Sequence, residues 1–89
     1  MNVDYQEIEK NFSELIISLS KAFTPEEINE ITEFIDHGEY GLALDTVIDI
    51  ITEEDKEISH DNFNIIVKLS NIMDLETDVI IKKIARHIC

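Results

Sequence analysis

The sequence predicts an all-α protein, a compact bundle of about five short helices. Three observations lead there. Apolar residues recur at three- and four-residue steps along most of the chain, the spacing that places them on one face of a helix. No segment sustains the strict alternation of a half-buried strand. The recognisable element starts are N-cap motifs, a Ser, Thr or Asp set just before an apolar periodic run.

The first helix opens at Asp4, where Glu7 three places on predicts a capping box, and Tyr5, Ile8, Phe12, Leu15, Ile16, Leu19, Ala22 and Phe23 draw one apolar stripe. The second start is the clearest. Thr24 stands as N-cap, Pro25 fills the first helical position with its φ already set, and Glu27 closes the box. Phe23 and Ile28 occupy the positions of a hydrophobic staple, and Ile31, Phe34 and Ile35 continue that face. Gly38 is expected to end this helix as the left-handed residue beyond its C-cap.

A third helix is expected over roughly residues 39–54, with Tyr40, Leu44, Val47, Ile48 and Ile51 inward. Ser59 opens a fourth, with Ile58 and Phe63 as its staple and Phe63, Ile66, Val67 and Met73 as its buried face. After a break near Asp74-Leu75, a last helix should bury Val79, Ile80, Ile84 and Ile88. Pro25 is the only proline, and there is no low-complexity tract or repeat, so residues 1–89 read as a single domain.

Composition narrows the function classes. With 44% apolar and 30% charged residues the chain can bury a core and solvate its shell. Twenty acidic residues against seven basic ones give a formal charge of −13, which makes free nucleic acid and anionic membrane repulsive partners. Twelve of those acids, against one lysine, fall between residues 24 and 57. A single cysteine, Cys89, forbids an internal disulfide and suits a reducing cytoplasm. Met1-Asn2-Val3-Asp4 has no basic-then-apolar export signal, and no apolar run exceeds three residues, so a cytoplasmic protein without a membrane span is expected.

Candidate chemistry is sparse. No window has the alternating acids and central glycine of a calcium loop. A carboxylate-bridged di-iron bundle needs two Glu-x-x-His pairs, and only Glu57 and His60 form one. His87 and Cys89, two ligands on what should be a fraying terminus, do not make a metal site. There is no phosphate-cradling glycine loop and no serine in a nucleophile elbow. No catalytic residue, metal or cofactor is therefore expected. Leu44-Asp45-Thr46-Val47 resembles the residues after the modified serine of acyl carrier proteins, but Ala43 stands where the serine must carry the phosphopantetheine arm.

A second resemblance covers about residues 23–54. Phe23-Thr24-Pro25-Glu26-Glu27-Ile28, followed by Phe34-Ile35-Asp36-His37-Gly38-Glu39-Tyr40-Gly41-Leu42-Ala43-Leu44, resembles the MafI family of immunity proteins. These are small bacterial cytoplasmic antidotes encoded beside secreted polymorphic toxins of contact-dependent growth inhibition, often with nuclease tips. The resemblance implies an antitoxin that acts by protein–protein interaction on the C-terminal domain of its cognate toxin, expected to be a basic nuclease, without catalysis. The run from Gly38 to Leu44 carries most of the specificity, because Thr-Pro-Glu-Glu is also simply a good helix start.

The glycines and the acids of this stretch read differently. Gly38 supplies a positive φ, and Gly41 in a first helical turn sacrifices roughly 1 kcal/mol relative to alanine. Close approach of the second helix or of the Tyr40 ring would justify Gly41, so both glycines are expected at a packing corner, with the Tyr40 hydroxyl at its rim. His37 should favour the end of the second helix through the helix dipole.

The acids fall into stripes. Asp45, Asp49 and Glu53 on the third helix, and Glu26, Glu30 and Glu33 on the second, recur at helical spacing with no lysine in either helix. Like charges so placed cost roughly 0.2–0.5 kcal/mol per pair. One reading is a solvated face. The other is an electrostatic mate for a cationic cleft, with Asp45, Asp49 and Glu53 as charged contacts and Glu30, Glu33, Asp36 and Glu39 beside them. The expected function is neutralisation of a toxin domain by occlusion of its cationic active cleft. The alternative is an acidic helical adaptor or regulatory protein-binding module.

Overall fold

Pro25 and the hydroxyl of Thr24 begin one of the helices that make up most of the described chain. The computed structural model describes residues 4–89; Met1-Asn2-Val3, the segment expected to carry no export signal, lies outside them. Five α-helices follow in order: α1 (Tyr5–Leu19), α2 (Pro25–Asp36), α3 (Tyr40–Glu53), α4 (His60–Ile72) and α5 (Thr77–Ile84), with a 3₁₀ turn over Ala85–His87. Among the described residues no strand forms, apart from an isolated parallel bridge between Ile58 and Ile88.

The caps are built from local hydrogen bonds. Glu27 N–H donates to Thr24 Oγ1 (3.1 Å) and Thr24 N–H donates to Glu27 Oε1 (2.9 Å), a complete capping box. At α1 only half of the expected box is present: Glu7 N–H donates to Asp4 Oδ1 (3.1 Å). At α4 the box forms with Asn62, whose Oδ1 accepts from Ser59 N–H (3.0 Å).

Three helices end alike. Gly38, Asp55 and Asp74 each take a positive φ (72°, 50° and 57°) just past α2, α3 and α4. The next amide then bonds back over the turn, Glu39 to Phe34 O, Lys56 to Ile51 O and Leu75 to Ser70 O. This is the Schellman closure, and aspartate tolerates the left-handed backbone better than most residues.

Packing joins α2 to α3 and α1 to α4, and α5 lies against α3 and α4. The core gathers Ile8, Phe12, Leu15 and Leu19 from α1, Ile31 from α2, Leu44, Val47, Ile48 and Ile51 from α3, and Ile66, Leu69, Ile80 and Ile84 from the last two helices. Burying each of the four large α3 side chains is worth about 1.5–3 kcal/mol. The two like-charge steps of the α3 acid stripe cost well under about 1 kcal/mol each. Packing therefore decides that α3 forms, and the charge pattern on its outer face is free to serve something else.

Several sequence expectations are corrected. Val79 is exposed, because α5 is short and buries only Ile80 and Ile84. Ile88 lies beyond the helix in extended backbone, paired with Ile58. On α4 the fully buried line is Asn62, Ile66, Leu69 and Ser70, and Phe63, Val67 and Met73 are only half-buried. The polar members of that line are admitted because each is bonded: Asn62 Nδ2 donates to Ser18 Oγ, and the Ser70 hydroxyl bonds Val67 O and Thr77 Oγ1. Tyr5 is largely exposed, and Ala22 falls past the end of α1 on the surface.

The terminus does not fray. Ile58 N–H donates to His87 O (2.9 Å) and Cys89 N–H to Ile58 O (3.0 Å), so the last residues are clamped to the segment between α3 and α4. His87 is buried beneath that clamp, its Nδ1 3.1 Å from Lys56 O and 3.3 Å from Asp55 Oδ1.

Candidate acidic docking face

The α2–α3 hairpin is held by the apolar faces that turn inward, which leaves its acids outward. Glu30, Glu33, Asp36, Glu39, Asp45, Asp49 and Glu53 are all exposed. Two adjoining surface concavities organise most of them. One is lined by Glu27, Glu30, Thr46, Asp49, Ile50, Glu53 and Glu54. The other is lined by Glu30, Glu33, Phe34, His37 and Glu39. Glu30 borders both, so acids that the sequence assigns to two separate helices form one continuous face. Asp36 and Asp45 are exposed on the same two helices but border neither concavity.

The single lysine of residues 24–57 is spent at one edge of this face. Lys56 Nζ lies 3.1 Å from Glu27 Oε1 and 5.7 Å from the centroid of the Phe23 ring. The Thr24 amide bond, followed by Lys56, holds the Glu27 carboxyl below its ordinary value against the opposing effect of burial. Among the described residues no Lys or Arg pairs with Glu30, Glu33, Asp36, Glu39, Asp45, Asp49 or Glu53. These carboxylates are open to a partner's charge.

Between the two helices, His37 caps α2: its Nδ1–H donates to Glu33 O (2.7 Å), which satisfies one of the orphan carbonyls at the helix end. Tyr40 is half-buried, tilted against Tyr5 (5.9 Å between centroids) and stacked on Phe12 (6.3 Å). Its hydroxyl donates to the Glu9 carboxylate, which ties the start of α3 to α1. That bond to Glu9, together with desolvation and the nearby charge, raises the phenol above its ordinary value. Tyr40 thus sits at a corner with its hydroxyl at the rim, as its amphipathic ring favours.

Gly41 does not fit the expected packing corner. It is exposed, and a Cβ there would meet no atom within 4 Å. No atom of α2 approaches it closely enough to require glycine. Gly38 likewise has open space around it, but its positive φ explains it.

Sequence patterns missed three features here. The reach of Lys56 to Glu27 had no signal, since the two are far apart in the chain. The left-handed turn at Asp55 could have been read from an aspartate just beyond the last apolar residues of α3. Burial of His87 needed the terminal clamp. Among the described residues, no three His, Cys, Asp or Glu side chains converge as a metal-binding cluster, and no helix is long and apolar enough to cross a membrane.

Comparison with known proteins yields no relative: no family model matches the chain, and no curated protein or solved structure is significantly similar to it.

Proposed function

We propose that this protein is an immunity protein that binds a cognate secreted toxin domain, a basic nuclease, and neutralises it by covering its cationic cleft in the cytoplasm of the producing cell. One observation carries the reading. Glu30, Glu33, Glu39, Asp49 and Glu53, from two helices and their connection, surround adjoining concavities and have no basic partner, while the nearest lysine is engaged at Glu27.

A cleft that binds nucleic acid presents positive potential to phosphates. A rigid acidic face competes for the same field, and complementary charge speeds encounter and disfavours wrong partners. The apolar core holds the face in place without being part of the contact. The resemblance of the Gly38–Leu44 run to immunity proteins supports the same class. We assign the chain no catalytic role; its work is occlusion.

Co-expression tests this directly. The protein should protect cells from the toxin domain encoded beside it and bind that domain in a pull-down, and should give no protection from unrelated toxins. Failure to bind the neighbouring domain, with capture of a different basic protein instead, would replace this reading by the acidic adaptor.

A further inference from the structure

α2 is the least anchored of the longer helices. Of its twelve residues Ile31 alone is fully buried, with Ile28, Phe34 and Ile35 half-covered, whereas α3 buries Ala43, Leu44, Val47, Ile48 and Ile51. α2 packs against α3 and meets the other helices only marginally. α3 is also held by α4 and α5, and its first residue, Tyr40, is stacked on Phe12 and bonded to Glu9 of α1. α3 is thus the fixed side of the hairpin and α2 the movable one.

Charge works against the seam between them. α2 carries Glu26, Glu27, Glu30, Glu33 and Asp36 and no base. Glu27 and Glu30 share a groove with Asp49, Glu53 and Glu54, so like charges meet along the line where the two helices must touch. Among the described residues one ion pair opposes this, Glu27 with Lys56 at the start of α2. At the other end the turn His37-Gly38-Glu39 is exposed, with open space around Gly38. A clasp at one end and an unobstructed turn at the other describe a hinge.

We propose that α2 is a hinged arm, which lifts off α3 as a unit about the Gly38 turn when the Glu27–Lys56 clasp opens, while the other helices stay folded. Few apolar contacts part in that motion, the property that marks a low-stability unit within a fold. Lifting takes Glu30 and Glu33 away from Asp49 and Glu53, so the arm assembles and dismantles the acidic face. Its bearing on binding rests on the reading of that face as the docking surface. A basic partner needs the closed arm and relieves the repulsion across the seam, so binding and closure favour each other.

Backbone hydrogen exchange on the whole free chain at neutral pH tests the arm. A twelve-residue helix freed from its neighbour holds its hydrogen bonds poorly in water, so lifting registers as exchange along α2. The amides of Ile31 to Ile35 should exchange at least about tenfold faster than the slowest amides of α1 and α4. Lys56→Met keeps an apolar stem and removes the charge, and should speed α2 about fivefold, the worth of one modest ion pair. Asn62→Ala weakens the contact between α1 and α4 and should speed the slowest amides about thirtyfold, leaving α2 at its parent rate. An α2 as slow as α1 and α4, or one that speeds up with them in Asn62→Ala, opens only with the whole molecule and would overturn the arm. With the toxin domain bound, exchange at Ile31 to Ile35 should slow, and unchanged exchange there would overturn the coupling of arm to docking while leaving the immunity reading intact. If no basic domain binds, that reading falls, and exchange in the free chain still decides the arm.

Discussion

Lys56 reaches across from the α3–α4 connection to place its ammonium 3.1 Å from the Glu27 carboxylate, so the only base of the acidic stretch is consumed where α2 begins. Both side chains are about four-fifths buried, and the lysine ammonium lies over the ring of Phe23. The pair therefore ties the start of α2 to the segment just after α3 and leaves the remaining acids of α2 and α3 unbalanced.

Glu27→Gln isolates the charge of this pair, because glutamine at the same position can keep the capping box. The Glu27 carboxyl is held below its ordinary value of 4.5 in the folded protein. Its contribution is thus fully present above that value and is lost as pH falls through the lower, folded one. The variant should be less stable than the parent by about 1 kcal/mol at neutral pH. That gap should close as pH drops below the ordinary glutamate range. Paired denaturant melts at neutral and acid pH measure it, and a gap independent of pH would deny the ion pair its role.

Asn62 bonds in two directions at once, to the Ser59 amide within its cap and to the Ser18 hydroxyl on α1. Asn62→Ala removes both and exposes buried polar groups to no partner. A loss of about 2 kcal/mol is expected, roughly a cap plus an interhelical bond. Ser18→Ala removes only the interhelical bond and leaves the cap. Chemical denaturation of the two variants separates the contributions, and equal loss in both would assign the whole effect to the contact with Ser18.

Added salt should stabilise the free protein. Eleven of its thirteen net negative charges fall between residues 24 and 57, most of them exposed, and screening weakens their mutual repulsion more than it weakens the partly buried Glu27–Lys56 pair. The melting temperature should climb between low and moderate sodium chloride. A steady fall would mean that exposed ion pairs, not repulsion, dominate.

Asp45→Lys with Asp49→Lys tests the face in function. Both side chains are exposed, so the fold should survive the change. Association with a basic toxin domain should slow, and the complex should weaken by anything from a few tenths of a kcal/mol for rim positions to about 2–5 kcal/mol for buried pairs. Binding kinetics at two salt concentrations read this out. Intact helical dichroism with undiminished growth protection would remove the α3 stripe from the mechanism.

Much of the architecture was already legible along the chain. Thr24, Pro25 and Glu27 set the start of α2, Ser59 set the start of α4, and Gly38 set the end of α2, because caps and turns are made between residues no more than a few positions apart. The inward line of α3 followed from helical spacing alone, and so did the outward stripe of Asp45, Asp49 and Glu53. Those signals are local, carried by backbone hydrogen bonds and side chains within one turn or two. What lies between segments was decided only by the tertiary structure. It buried Asn62 in place of Phe63, folded Ile88 and Cys89 onto Ile58, and covered His87. It joined the acids of two helices around Glu30, took Lys56 to Glu27, and left Gly41 open where the local pattern pointed to a packed corner. A periodic pattern tells which face of a helix turns inward, but which neighbour meets that face, and whether any neighbour comes near a given glycine, depends on how all five helices share one core.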